Sequence, residues 1–477
     1  MKTKYILAGL LALSLSACKD QFLDLSPIAQ ANSNTFYKTS SDMLIALNGA
    51  YGALQFNGQY GQNYIFAEVP SDDTTPALSG SVTDQDEFDK FYLRTTNPFL
   101  AARWSDGYRG IYRANTVVDR ITSVTMDETL KKRIVGEAKF LRALMYFNLV
   151  RAFGDVPLVV TEILDPSEGY AYGRAPVSEV YTQITKDLTD AEGALPERYT
   201  GADVGRATRG AAKSLLGKVY MTQRKYAEAT AKLKEVVDAN TYDLLPAYAD
   251  LFKPANKNSR ESVFEVQYKK GSLGEGSNFS NVYAPENSGN AVILFGGGGN
   301  NRPTPDLENA FETGDPRKNL SLASSYTNAA GNRVDYYHIR KYTDIPTTNG
   351  DAEDNFYVLR YADVLLLYAE ALNETGNTAG ALPFLNRVRK RVGMADRTGL
   401  SQAALRVALE QERRVELAFE GHRWYDLIRT GRALAVLQAK ATAIGIRTSL
   451  TENNLIFPVP QSQIDINVEK IKQNAGY

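Results

Sequence analysis

The 477-residue chain predicts a mostly α fold: a scaffold of tetratricopeptide-like helix pairs carrying long, loop-rich and partly β inserts. Three observations point there. Leu216-Gly217-x2-Tyr220, followed by Ala229 and Leu233, has the spacing of a tetratricopeptide helix pair, and Tyr368-Ala369-x2-Leu372 with Ala381 and Leu385 is a weaker second copy. Residues 140–150 are apolar nearly all round, which a helix tolerates only when buried on several sides. Residues of about 240–355 are rich in Gly, Asn, Ser, Pro and Tyr, and a loop-rich stretch that long inside a compact domain is usually functional.

In chain order, residues 1–18 read as a processing segment. Lys2 and Lys4 precede an apolar run too short to cross a bilayer, and Leu15-Ser16-Ala17-Cys18 resembles a bacterial lipobox with Cys18 as the lipidated residue. Cys18 is the only cysteine, so an intrachain disulfide is excluded. Residues 19–40 read as a tether, and 41–477 as the folded domain. A first helix is expected over 41–55 with Ser41 as N-cap. From 69 to 98 the chain turns polar and loop-like, interrupted by Phe88, Phe91 and Tyr92. Within it Asp72 and Asp73 fit sugar hydroxyls, a calcium ion or an Asp-capped turn, the last being favoured.

Trp104 is expected to begin a helix to 121 and to lie in the core, and Asp127 to start the next, which stops at Gly154 with Pro157 beyond. Helices near 136–152 and 177–193 form a further, interrupted pair, so the scaffold pairs occupy about 136–238 and 359–392. In the insert between them, 263–268 alternates as a strand does. Gly296 to Gly299 lack the Lys-Ser/Thr of a phosphate loop and read as a flexible turn. Phe279, Tyr283, Phe295, Tyr326, Tyr336 and Tyr337 read as exposed aromatics. The candidate ligand contacts are Asp72, Asp73, Phe88, Tyr92, Tyr283, Phe295 and Tyr326.

A formal net charge of -1 gives no global field for nucleic acid. With one cysteine and two histidines, zinc sites of the Cys/His kind are nearly excluded, and neither His338, in a polar loop region, nor His422 neighbours a nucleophile elbow. No metal, cofactor or catalytic residue is assigned. On a helical wheel over residues 405–431, Glu412 and Glu416 fall in the middle of the apolar face of Leu405, Ala408, Leu409, Val415 and Phe419. Two carboxylates one turn apart repel, and burial without partners costs several kcal/mol. They must be paired, and Glu412, Arg413, Arg414, Glu416, Glu420, Arg423, Asp426 and Arg429, with Arg360 ahead of another apolar helix, are expected to form a buried ion network. A glycosidase-like acid/base pair is the competing reading. Structural glue is favoured, since perturbed carboxylates also occur in structural networks.

The string from Glu412 to Gly431, with Leu417, Gly421 and Leu427, resembles the C-terminal signature of the SusD/RagB family. So do Trp104, Tyr108, Ile111 and Asn115, residues 138–158 and 305–317, and the close at 456–460 with Asp465, Asn467, Gln473, Asn474, Gly476 and Tyr477. The resemblance implies a non-enzymatic, outer-membrane nutrient-uptake lipoprotein facing the cell exterior. It would capture oligosaccharides or other nutrients for a SusC-like TonB-dependent β-barrel transporter, with a glycan ligand, the membrane as anchor and no nucleic acid. A helical glycoside hydrolase using Asp72 or Asp73, and a peptide-binding lipoprotein of the same uptake system, are the alternatives. The family varies most in its loops, so the resemblance transfers no ligand residue.

Overall fold

The computed structural model describes residues 36–77, 83–442, 445–446 and 449–477. The segment with Cys18, and the tether up to residue 35, lie outside them. Twelve helices are labelled: α1 Ser40–Gly52, α2 Thr83–Asp89, α3 Pro98–Arg120, α4 Glu128–Phe153, α5 Val177–Ala194, α6 Arg209–Thr222, α7 Tyr226–Asp238, α8 Pro305–Ala310, α9 Tyr361–Glu374, α10 Thr378–Arg391, α11 Gln402–Glu416 and α12 Arg423–Thr430. The strands are short: β1 Thr74–Thr75, β2 Val156–Pro157, β3 Arg174–Ala175, β4 Ser262–Val266, β5 Arg302–Pro303, β6 Leu322–Thr327, β7 Arg333–Ile339 and β8 Phe356–Arg360. They form antiparallel ribbons β1–β5, β2–β3, β4–β8 and β6–β7.

The helices pack as α4 on α5, α6 on α7 and α9 on α10. Gly217 of α6 explains its repeat position: a Cβ there would lie 2.5 Å from Leu233 Cδ2 of α7. In the second copy Tyr368 packs edge-on against Phe384 at 4.7 Å, with Ala381 and Leu385 buried beneath. The core is centred on α4 and α9. Phe140 to Val150 of α4 and Tyr361 to Asn373 of α9 are buried on every side, so neither stretch has a solvent face.

Several local expectations shift. The first helix is capped by Thr39, whose side chain accepts from Asp42 N (3.2 Å) while Asp42 accepts from Thr39 N (2.9 Å). Thr39 has the extended backbone of a cap and Asp42 stands at the third helical position, completing a capping box that Ser41 cannot make. The Trp104 helix begins earlier, at Pro98 behind the Asn97 cap, because proline suits the first helical position. Trp104 is core, edge-on to Phe153 at 5.3 Å. The polar run after Val69 contains α2 and β1, and His338 lies buried in β7 instead of in a loop. Residues 405–431 are two helices: Phe419 (φ 66°) and Gly421 (φ 77°) turn the chain between α11 and α12.

Candidate functional site

Two polar regions carry the chemistry-bearing side chains. The first surrounds the end of α11. Glu412 and Glu416 project to the core, and Glu420 follows on the turn. Arg317 Nη1 donates to Glu412 (2.6 Å) and Glu416 (2.9 Å). Arg360, at the head of α9, donates to Glu416 (2.6 Å), Glu420 (2.6 Å) and Glu261 (3.0 Å). Arg389 and Arg391 reach in from the end of α10 to Glu412 and Glu416, and Lys341 pairs with Glu420 at 2.7 Å. Burial pushes the Glu416 carboxyl up, but Arg391, Arg360 and Arg317 outweigh it and hold it well below the usual carboxylate range.

Arg413 and Arg414 neighbour Glu412 in sequence yet serve other partners, because consecutive helical residues point in different directions. Arg413 joins Asp363 (2.8 Å) to Asp426 (3.0 Å), and Arg429 joins Asp426 to Glu370. Lys218 lies 2.9 Å from both Asp363 and His422 Nδ1. Burial first, then the Lys218 charge, push the His422 imidazole down to about 3.

The network also absorbs the two aspartates named as ligand contacts. Arg423 forks onto Asp72 (2.8 and 2.9 Å), and Arg414 bonds Asp73 (2.6 Å) and Asp306 (2.6 Å). Asp72 and Asp73 are each 1% exposed, so neither meets solvent. Burial and the opposite charges of Arg423 and Arg414 make them scaffold anchors here, in place of sugar contacts, a calcium site or an acid/base pair. Phe88 is likewise fully buried, edge-on to Phe66 and Phe457, and Tyr283 stacks on Phe279 at 5.9 Å inside a cluster with Tyr342 and Phe356. Phe88, Phe279 and Tyr283 therefore stand in the core, because large apolar rings next to tight turns are drawn beneath them.

The second region is a rim where β1 meets β5. Gln85 of α2 donates to Asn300 Oδ1 (2.9 Å), and Arg302 donates to Thr75 Oγ1 (3.2 Å) while its guanidinium lies 5.8 Å from the Tyr336 ring centre. The glycine run is a fixed wall and not a flexible turn. Gly298 N donates to Asn281 O and Gly299 N to Ala284 O, both at 2.8 Å. A Cβ on Gly299 (φ 64°) would meet Tyr336 Oη at 2.2 Å. Asn281 Nδ2 holds the carbonyls of Leu294 and Gly296 at 2.8 Å. That clamp presents Phe295, 51% exposed and in the left-handed region (φ 69°), beside exposed Leu294 and Val292. A phenylalanine held at positive φ with its ring in solvent is strain of the kind that binding sites retain.

Around the same strand pair lie buried polar atoms that have no hydrogen-bond partner among the described residues: Asn301 Nδ2 and Oδ1, Arg302 Nε, Gln85 Oε1, Asp89 Oδ1 and Thr74 Oγ1. Burial and the Asp86 charge push the Asp89 carboxyl up to about 7, against the pull of Lys90 and Arg302. Tyr92, 45% exposed, donates to Asp86 (2.9 Å), one residue from Gln85. Tyr326 sits half-buried on the β6–β7 ribbon opposite Val334, and Tyr337 donates to Glu308 (2.6 Å). Of the aromatics named from sequence, Phe295, Tyr92, Tyr326, Tyr336 and Tyr337 thus keep some exposure. Gln85, Asn300 and Arg302 were missed; the only sequence signal for them was their place beside the glycine run and the polar stretch.

Comparison with known proteins adds to this geometry. The sequence pattern of the SusD family matches residues 317–477, and one described as starch-binding and associating with the outer membrane matches residues 21–221. The SusD-like protein P25 of Formosa agariphila is 29% identical, over 96% of each chain. A solved laminarin-binding SusD-like protein is 34% identical with a TM-score of 0.80, covering 92% of this chain and 100% of that one. Surface glycan-binding protein A from Bacteroides fluxus is 26% identical with a TM-score of 0.81, over the same shares.

Proposed function

From the premise that this chain belongs to the SusD family, we propose that it is a non-catalytic, surface-exposed glycan-capture protein whose binding face is the β1–β5 rim. The observation that carries this is the Phe295 clamp: an exposed ring held in a strained backbone, on the same glycine segment whose Gly299 packs against Tyr336, the ring that lies under Arg302. A sugar ring offers an apolar face to Phe295 and hydroxyls to the Arg302, Gln85 and Asn300 groups. Such sites combine aromatic surface with a few fixed polar groups. The 34% identical relative is named for laminarin, which makes laminarin oligosaccharides the first ligands to try.

Cys18 is the proposed lipid anchor, and several acyl chains hold a protein at a membrane stably. Among the described residues no helix is long and apolar enough to cross a membrane. The captured glycan is handed to a SusC-like TonB-dependent barrel in the outer membrane, from its exterior side. Residues 41–477 act as one domain, with ligand specificity in the insert of about 240–355.

The test is calorimetric titration of the chain with laminarin oligosaccharides, other neutral glycans and peptides. Saturable binding to a glycan, weakened about tenfold or more (~1.4 kcal/mol) by Phe295→Ala at unchanged thermal stability, is expected. Heat that continues after mixing would identify turnover, and binding to peptides alone would overturn the glycan assignment.

A further inference from the structure

A cavity of about 270 Å³ opens at the base of the β6–β7 ribbon, with none of the rim residues in its lining. Its lining is Tyr248, Phe252, Lys253, Leu320, Arg340 and Lys341, with Ala249 and Thr343 at the edge. The lining holds cations, rings and an aliphatic side chain, and no carboxylate. That composition is unusual in this molecule, where the arginines around α11 each hold carboxylates. Lys341 is already matched by Glu420, and Lys253 is bonded at the surface to Asp250 (2.7 Å). Arg340 is different. Its backbone is fixed by donation to Ser321 O (2.8 Å), its side chain is exposed, and among the described residues no carboxylate pairs with it.

The floor is as defined as the cation. Phe252 is wedged edge-on between Tyr342 (5.6 Å) and Tyr357 (5.7 Å), and Tyr248 is tied to Glu416 O (3.1 Å). Lys341 Nζ lies 4.9 Å from the Phe252 ring centre. The floor is thus braced by the ion network, while the guanidinium at the mouth is left uncommitted. A planar guanidinium presents a fork that matches a carboxylate bidentately. A ring-shaped ligand carrying one carboxylate meets both requirements: its apolar face lies against Phe252 and Leu320, and its charge against Arg340.

We propose that this cavity is a second binding site, distinct from the rim, for a carboxylated sugar of the hexuronate class, with Arg340 as its anion-binding residue. It extends the ligands of the chain from neutral glycans to acidic ones or to acidic branches.

The experiment titrates the full chain with sodium glucuronate, glucose and sodium acetate, at low and raised salt, following binding by calorimetry and folding by thermal melting. Saturable glucuronate binding is expected, at least about tenfold tighter than glucose or acetate and weakened by salt. Arg340→Gln should remove about tenfold of it or more without moving the melting temperature, Arg340→Lys should retain part of it, and Phe295→Ala should leave it unchanged. Absence of glucuronate binding, equal binding of acetate, or undiminished binding by Arg340→Gln would each overturn the site. The rim is read separately: a neutral glucan should lose affinity in Phe295→Ala and keep it in Arg340→Gln.

Discussion

The end of α11 and the β1–β5 rim both bury polar groups, and they do so in opposite ways. Around Glu412, Glu416 and Glu420 every carboxylate meets at least one arginine or lysine within 3.0 Å, drawn from β8, α10 and the insert. Among the described residues, buried amide, carboxylate, hydroxyl and guanidine atoms cluster without partners around Thr74 and Arg302, whereas the network leaves Arg391 Nε and Asp73 Oδ2 so. A buried polar group left unmade costs about 1–3 kcal/mol, so a protein retains a cluster of them only where something other than the fold rewards it. The network holds the insert onto the helical scaffold. The rim leaves that bonding capacity unused among the described residues.

That contrast is sharpest under mutation. Glu416→Ala removes the one carboxylate shared by Arg317, Arg360 and Arg391 and leaves three buried guanidiniums each a carboxylate short, and the expected loss is about 3–5 kcal/mol of unfolding free energy. It should appear as a large fall in the denaturant midpoint, and a loss below about 1 kcal/mol would erase the distinction between the two regions.

A smaller effect separates them by pH. The Asp89 carboxyl, pushed up to about 7 in the folded chain, binds its proton more tightly folded than unfolded. Its stabilising contribution is therefore complete below the ordinary carboxylate range and is lost as pH rises through about 7. Glu416, held well below that range, has the reverse sign: its contribution is present above the unfolded value and is lost as pH falls through the depressed one. Asp89→Asn should then raise stability at pH 8 by on the order of 1–3 kcal/mol relative to pH 4, seen as a flatter pH profile against the parent chain. An unchanged profile would show that Asp89 does not carry a proton into the fold.

The smallest effect tests the wall of the rim. Gly299→Ala forces a Cβ at φ 64° toward the Tyr336 hydroxyl, and should cost on the order of 1 kcal/mol in stability. Its consequence for glycan affinity should exceed its consequence for folding, measured by titration and melting of the same preparation.

Legibility followed the range of the interaction. The necessity of pairing Glu412 and Glu416 was readable, since two carboxylates on an apolar face admit no other outcome. Their partners were not: the neighbouring Arg413 and Arg414 turn to Asp363 and Asp73, while Arg317 and Arg389 come from elsewhere in the chain. The Gly217 position announced a close helix approach before Leu233 was seen against it. Asp72 and Asp73 looked like loop residues because nothing within ten positions reveals an arginine that meets them 351 and 341 residues further on. Phe88 and Tyr283 looked like ligand contacts for the same reason, since the rings that cover them come from distant segments.

By itself, then, the sequence determined the long paired helices, the compensated charge of α11 and the family. These rest on periodicity, caps and short spacings, which act over a few residues and are written locally. The tertiary structure alone decided that Thr75 meets Arg302 across 227 residues, that the glycine run becomes a wall against Tyr336, and which rings face solvent. Those outcomes depend on closing long loops and on competition among many apolar surfaces for one interior, and no local pattern records which of them wins.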